Sequence, residues 1–127
     1  MQRSTTLQPL SREHHTALTL AKACERAVQS GDAEIVRQTC QRAVQAYSDG
    51  LQAHFQIEEQ SLLPLLQSGD EQKLVQRTLT EHQQICVLLD EVKQGDAVAL
   101  AEFGSLLSAH VRFEERELFP ALEARLD

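Results

Sequence analysis

The chain of 127 residues has no tryptophan, three prolines and only three cysteines, and it contains no long apolar run. Its cysteines are odd in number and widely spaced, which favours a reduced intracellular chain over a disulfide framework. No apolar stretch approaches the roughly 20 residues of a membrane span, and the polar start MQRSTTLQPLSRE is not typical of a signal peptide. The expectation is a cytoplasmic protein with no membrane segment.

Positive charge is also scarce, because 12 Lys and Arg residues stand against 19 Asp and Glu, giving a net charge of -7. Such a balance argues against nucleic acid or an anionic membrane as partner. Clustered carboxylates can instead bind cations, although a solvated acidic surface explains most acidic proteins. The sequence indicates no particular protein partner.

Three short segments divide the chain: QSGD at 29–32, QSGD at 67–70 and KQGD at 93–96. Each pairs a glycine suited to close a helix with an aspartate suited to cap the next one. The residues between them are good helix formers, and β-branched alternation is absent. This pattern predicts one all-α domain, 1–127, with helices at about 11–30, 33–66, 71–94 and 97–125. Short loops favour an antiparallel up-down-up-down four-helix bundle.

Polar residues interrupt the apolar stripes that should build the core. HFQIEEQSLLP begins at His54, and HVRFEERELFP begins 56 residues later at His110. In each segment a glutamate follows the histidine by four residues, which places Glu58 and Glu114 on the same helix faces as their histidines. Upstream, REHHTALTLAKAC is similar to TEHQQICVLLDEV, so the chain is a twofold repeat of helical hairpins.

This repeat predicts a metal site. With a rise of about 1.5 Å per residue, the histidines on neighbouring helices fall within roughly 3–8 Å of one another in height. Two buried carboxylates would repel each other, and a cation between them resolves the conflict. The candidate metal ligands are His14, His54, Glu58, His82, His110 and Glu114. They could hold two divalent or trivalent ions, with each glutamate bridging and about two histidines per ion. Imidazole with carboxylate suits iron or manganese, and zinc less exclusively.

Several neighbouring residues have two interpretations. Two interpretations, additional metal ligand or surface group, are open for His15, Glu59 and Glu115. Glu13 and Glu81 either orient neighbouring imidazoles or are plain surface charges. Cys86 is expected to be a small buried core thiol, with a reactive thiol as the alternative. Gly50 stands where the repeat has Leu106, which suggests either close helix packing or room beside one metal.

The order His14, His54-xxx-Glu58, His82, His110-xxx-Glu114 resembles the hemerythrin-like, HHE cation-binding family over almost the whole chain. The resemblance implies a four-helix bundle around a non-haem di-iron centre. The four histidines would be terminal ligands of two iron ions, and the two glutamates would be bridges. Ferritin-like di-iron bundles instead use Glu-xx-His, and no glutamate stands three residues before any histidine in this chain.

The chain departs from the oxygen-carrying hemerythrins at two positions. Those proteins have a second histidine on the third helix, where this chain has Thr78, four residues before His82. Their bridge on the fourth helix is an aspartate five residues after its histidine, where this chain has Glu115. The site therefore resembles the histidine-poorer, more symmetric branch of the family.

By resemblance, the expected function is to bind or sense O₂ or a related small ligand, or iron itself. The alternative is a di-iron enzyme that acts on peroxide or nitric oxide with the same ligands. A purely structural metal bundle or a protein-interaction module is the third hypothesis.

Overall fold

A computed structural model describes residues 3–126 of the chain. This part of the chain is helical and contains no strand. The four helices are α1 (Gln8–Ser30), α2 (33–65), α3 (Gly69–Val92) and α4 (97–123). The prediction of an all-α fold with four helices is confirmed, and each end lies within three residues of the predicted one. Pro9 accounts for the early start of α1, because the first turn of a helix tolerates proline.

Two of the helices are not α-helical throughout. In α2 the successive segments are α-helix Ala33–Ala46, π-helix Tyr47–Leu51, α-helix Gln52–Ile57, π-helix Glu58–Leu62 and the 3₁₀ turn Leu63–Leu65. In α4 they are α-helix Ala97–Phe113, π-helix Glu114–Leu118 and α-helix Phe119–Glu123. Sequence patterns did not predict the π-helical segments.

The first and third connections have the predicted chemistry. Gly31 (φ 67°) and Gly95 (φ 80°) adopt the left-handed conformation after α1 and α3. Asp32 then accepts hydrogen bonds from two backbone amides at the start of α2, and Asp96 accepts one at the start of α4. These caps satisfy amides that have no partner inside their helix.

The middle connection differs from the prediction. Gly69 does not close α2 but is the first residue of α3, and its φ is not positive. The cap is Ser68, whose side chain accepts from the amide of Glu71 while the Glu71 carboxylate accepts from the amide of Ser68. This reciprocal capping box starts α3 two residues earlier than expected.

Contacts of α3 with α4 and with Arg125, just after α4, join residues of increasing number in α3 to residues of decreasing number in the last part of the chain. The successive pairs are Glu71–Arg125, Arg77–Glu117 and Glu81–His110. Neighbouring helices that run in opposite directions produce such a ladder, in agreement with the short connections.

The core consists of two apolar clusters with a polar layer between them. One cluster includes Cys24, Ala43, Leu89, Phe103 and Leu107. The other includes Leu7, Leu63, Leu66, Leu118 and Phe119. Along each helix the predicted ligand positions lie where one cluster gives way to the other. Within residues 3–126, no helix has the length and apolar character needed to cross a membrane.

Candidate metal centre

All six predicted ligand residues lie in the polar layer and are at most 4% exposed. They come from four helices: His14 from α1, His54 and Glu58 from α2, His82 from α3, and His110 and Glu114 from α4. A polar layer of this kind costs free energy unless its charges are compensated. Its presence in the middle of an otherwise apolar core therefore needs a chemical explanation.

The donor atoms form two groups, and the histidines of the first come from α1 and α2. His14 Nε2 lies 2.7 Å from Glu114 Oε1. His54 Nε2 lies 3.0 Å from Glu58 Oε2 and 3.6 Å from Glu114 Oε1. One donor atom from each of the four residues can be chosen so that all lie within 4.8 Å of one another.

The histidines of the second group come from α3 and α4, and this group uses the opposite oxygens of the same two glutamates. His82 Nε2 lies 3.0 Å from Glu58 Oε1 and 3.8 Å from Glu114 Oε2. His110 Nε2 lies 3.0 Å from Glu114 Oε2. Both groups thus contain two imidazole nitrogens and two carboxylate oxygens, and the two glutamates join them.

Several of these atoms have no hydrogen-bond partner among the described residues. They are Glu58 Oε1 and Oε2, His82 Nε2, His110 Nε2 and Glu114 Oε2. Leaving a buried polar atom without a partner costs about 1–3 kcal/mol. Four of these five atoms make up the second group, and they point into shared space without aligned hydrogen bonds, which suits a metal ion there. In the first group only Glu58 Oε2 is left without a partner, because His14 Nε2 and Glu114 Oε1 share a hydrogen bond of 2.7 Å. Nitrogen and oxygen donors of this kind match iron, manganese or zinc.

The two central carboxylates are electrostatically different. Burial and the neighbouring Glu114 raise the pKa of Glu58 above its ordinary value. Burial acts in the same direction on Glu114, but the imidazoles of His110, His14 and His54 outweigh it and hold its pKa well below the usual range. The layer therefore needs positive charge to keep both carboxylates ionised.

The imidazoles respond to the same charges. Burial by itself lowers the pKa of His54, His82 and His110, because it disfavours the charged form. The adjacent carboxylates of Glu114 and Glu58 outweigh burial and raise the pKa of His54 to about 11 and that of His82 to about 10. The pKa of His110 is raised to about 9, chiefly by Glu114 and Glu81. A bound cation would supply the positive charge that the layer attracts.

Each imidazole also binds a carboxylate on its outer side through Nδ1. The pairs are His14–Glu115 (2.6 Å), His54–Glu13 (2.9 Å), His82–Glu59 (2.6 Å) and His110–Glu81 (2.6 Å). In every pair the glutamate comes from the preceding helix in the order α1, α2, α3, α4 and back to α1. We refer to Glu13, Glu59, Glu81 and Glu115 as the outer carboxylates.

The outer carboxylates fix which nitrogen of each imidazole faces inward. When Nδ1–H donates to a carboxylate, the Nε2 lone pair is available to the centre, and the imidazole becomes more basic. Of the two interpretations left open for Glu13 and Glu81, the hydrogen bonds to His54 and His110 favour the one in which they orient neighbouring imidazoles. The interpretation of Glu59 and Glu115 as plain surface charges is wrong, because each binds an imidazole of the next helix.

Comparison with protein-family models matches residues 5–122 to the hemerythrin HHE cation-binding domain. The chain belongs to this family. Comparison with the curated proteins and with the solved structures finds no significant match. The family description states cation binding, and the two groups of buried donors supply the residues that can hold a metal in this HHE domain.

In this HHE domain two of the π-helical segments, Glu58–Leu62 and Glu114–Leu118, begin at the central glutamates themselves. A π-helix has more residues per turn than an α-helix, and such turns are frequent at functional sites. At both positions one glutamate faces the centre and the next reaches the imidazole of a neighbouring helix. The repeated Glu-Glu pair is the sequence signal that could have indicated this arrangement.

The other residues considered from the sequence either lie outside the polar layer of the HHE domain or contribute no metal-binding atom to it. His15 is exposed. Thr78 is buried four residues before His82, but its hydroxyl donates to the carbonyl oxygen of Leu74 at 2.8 Å. Cys86 was expected to be buried but is half-buried, with its Sγ 3.2 Å from the Tyr47 hydroxyl oxygen.

Proposed function

We propose that this HHE protein holds two iron ions in the polar layer and binds O₂ or a related small ligand there. The observation that carries the proposal is the division of the six residues into two groups joined by Glu58 and Glu114. His14 and His54 would hold one ion, and His82 and His110 the other. Sensing of iron itself is a further possibility that rests on the same residues.

Iron is favoured by the chemistry of the donors. Each group offers two imidazole nitrogens and two carboxylate oxygens, a mixture that suits iron or manganese and accommodates zinc. When bound, iron supplies a redox-active Lewis acid to which a small ligand can coordinate. Four protein donors per ion leave coordination positions for that ligand.

The chain's own residues would prepare the centre for this role. Apolar clusters above and below the layer keep bulk water away from the ligand positions. Phe119 stacks on His14 and Phe55 stacks on His82, with ring centroids 4.9 and 3.9 Å apart. The outer carboxylates hold the imidazoles in one orientation, so that little rearrangement accompanies metal binding.

The second candidate is an enzyme that acts on peroxide or nitric oxide, and the outer carboxylates favour it. With the two central glutamates they place six carboxylates around the two ion positions. Negative charge of this density stabilises ions of higher charge relative to ions of lower charge. A centre that favours its oxidised form suits turnover of an oxidant better than long-lived carriage of O₂.

Metal analysis of the purified chain tests the proposal. We expect about two irons per chain in the wild type, with near-ultraviolet absorption from an oxo-bridged pair after exposure to air. His54→Ala should lose iron, whereas His15→Ala should keep it, because His15 is an exposed histidine on α1. Absence of iron from the wild type, or equal iron in both variants, would contradict the assignment.

Peroxide turnover separates the two candidate functions. Consumption of hydrogen peroxide by purified wild-type protein that disappears in Glu58→Ala would favour the enzyme. Reversible ligand binding without turnover would favour the binding protein. In both experiments the iron content of each variant has to be measured alongside.

A further inference from the structure

Tyr47 and Cys86 form a contact that the proposed function does not use. The Tyr47 hydroxyl oxygen lies 3.2 Å from Cys86 Sγ, close enough for a hydrogen bond in which either group donates. Tyr47 belongs to α2 and Cys86 to α3, and both are half-buried. The chain has one tyrosine and no tryptophan. Its one phenol, a group that gives up a single electron more easily than other side chains except indole and thiol, therefore contacts a thiol.

Phe55 joins this contact to the candidate metal centre. Its ring stacks on His82, with centroids 3.9 Å apart and planes inclined by 14°. On its other side it meets the Tyr47 ring edge-on, with centroids 6.2 Å apart. Aromatic rings with centroids up to about 7 Å apart are in contact. Because His82 Nε2 belongs to the second donor group, an unbroken series of side chains runs from that group to the Cys86 thiol.

The outer end of this series is accessible from solvent. Cys24 and Cys40 are at most 3% exposed, whereas Cys86 is only half-buried. Burial, the contact with Cys86 and the charge of Glu59 raise the pKa of Tyr47 to about 12, so its hydroxyl keeps its proton at neutral pH. Oxidation of such a phenol removes a proton together with the electron. The resulting radical can take a hydrogen atom from a thiol within hydrogen-bond distance.

The other half of the repeat has no oxidisable side chain at the matching positions. Alignment of the two hairpins places Leu18 opposite Cys86, Phe103 opposite Tyr47 and Val111 opposite Phe55. These replacements remove the thiol, the hydroxyl and the aromatic bridge. The repeat is thus symmetric in its candidate metal ligands and asymmetric in the three residues that connect them to a thiol.

We propose that Tyr47 and Cys86 are an electron relay from a small thiol in solvent to the His82–His110 half of the centre. The inference rests on the proposed function, because the electron acceptor is a ferric ion held by that half. Phe55 is the bridge between Tyr47 and His82. The relay returns the oxidised centre to its ferrous state without admitting the reductant to the buried layer.

Each passage along the relay transfers one electron. Tyr47 gives an electron through Phe55 and His82 to a ferric ion, which becomes ferrous, and the phenol proton leaves to solvent. Cys86 then gives its S–H hydrogen atom to the tyrosyl radical, which restores Tyr47. A small thiol restores Cys86 in the same way, and two of the thiyl radicals formed in solvent combine to a disulfide. Two passages therefore convert two ferric ions and two thiols into two ferrous ions, one disulfide and two protons.

Metal-free protein tests the transfer between the two residues. Photo-oxidation with a ruthenium sensitiser gives a tyrosyl radical at Tyr47 alone, because the chain has no other tyrosine. We expect transient absorption to show that this radical decays roughly tenfold faster in the wild type than in Cys86→Ser, which keeps a hydroxyl but has no oxidisable thiol. Cys40→Ala, which removes a buried thiol, should decay as the wild type does. Equal decay in the wild type and in Cys86→Ser would overturn the relay.

Iron-loaded protein tests the path to the centre. The air-oxidised protein is mixed with 2-mercaptoethanol without oxygen, and the loss of near-ultraviolet absorption from the ferric pair is followed. We expect reduction to be roughly tenfold slower in Tyr47→Phe, which copies the residue of the other half, and in Cys86→Ser, with unchanged iron content. Cys40→Ala should be reduced at the wild-type rate. Wild-type rates in both relay variants would overturn the path.

The two experiments separate this inference from the proposed function. Iron uptake with reduction rates that do not depend on Tyr47 or Cys86 would overturn the relay alone. A chain that takes up no iron would overturn the proposed function, and with it the relay as a path to the centre, even if the tyrosyl radical passes to Cys86.

Discussion

His14 and Glu115 stand 101 residues apart in the sequence, yet His14 Nδ1 lies 2.6 Å from Glu115 Oε2. This contact closes the ring in which each helix supports an imidazole of the next. The Glu115 carboxylate also contacts Arg3, so the segment before α1 is tied to the same group. Burial alone would raise the pKa of Glu115, but His14 and Ser11 outweigh it and lower the value. The imidazole and the carboxylate therefore stabilise each other.

The outer carboxylates should control metal affinity. Replacement of Glu59 by glutamine keeps an acceptor near His82 but removes the charge that makes the imidazole more basic. We expect metal affinity to fall roughly 10–100-fold, as is typical for residues that support a metal ligand. Competition with a chromophoric chelator measures this change. Glu102→Gln, an exposed glutamate of α4, is the matched control, and equal affinities in the two variants would contradict the role of Glu59.

The central glutamates should couple metal content to stability. Glu114→Ala removes a carboxylate that contributes one oxygen to each donor group. We expect iron content to fall well below that of the wild type and the rise in Tm on metal addition to disappear, because binding to the folded state adds to stability. Calorimetry with and without metal measures the effect. Glu117→Ala, an exposed neighbour, should behave as the wild type.

Much of the fold and of the six-residue candidate metal site was predictable from the sequence. The spacing of four between His54 and Glu58, and again between His110 and Glu114, determines a shared helix face whatever the tertiary packing. The positions of the histidines of α1 and α3 are also predictable, because the turn residues set the relative heights of the helices and so place these histidines level with the other ligands. The structure brings all six residues together, and their role as metal ligands stays a prediction.

The outer carboxylates were less predictable because their contacts depend on π-helical turns and on neighbouring helices. Glu59 follows Glu58 by one residue, which in a regular α-helix turns it by about 100° away from the centre. Periodicity within one helix therefore assigns it to the surface. Its contact with His82 of α3 depends on how α2 and α3 pack, which the periodicity of α2 does not encode, and only the repetition of the Glu-Glu pair at 114–115 indicates a shared role.

Replacement by alanine should change the stability of the fold in opposite directions at Gly104 of α4 and at Gly50 of α2. A Cβ on Gly104 would lie 2.9 Å from Cys24 Cβ and 3.0 Å from the Ala21 carbonyl oxygen, whereas one on Gly50 would meet nothing within 4 Å. We expect Gly104→Ala to destabilise the fold by about 1–3 kcal/mol through overpacking. Gly50→Ala should be neutral or stabilising by up to about 1 kcal/mol, because alanine favours helix. Urea denaturation of both variants measures the difference, and a Gly104→Ala protein as stable as Gly50→Ala would contradict the close approach of α1 and α4.

The capping box of α3 should give the fold an acid-sensitive contribution. Two hydrogen bonds from Arg125, each 2.9 Å long, and one from the Ser68 amide lower the pKa of Glu71 from 4.5 to about 2. Because the folded-state pKa is the lower one, this contribution is present above pH 4.5 and is lost as the pH falls towards 2. We expect Glu71→Gln to be less stable than the wild type in urea at pH 7, and the gap to narrow near pH 3. Asp70→Asn, in the same helical turn, controls for loss of a first-turn charge, and a gap that does not change with pH would refute the role of the Glu71 carboxylate.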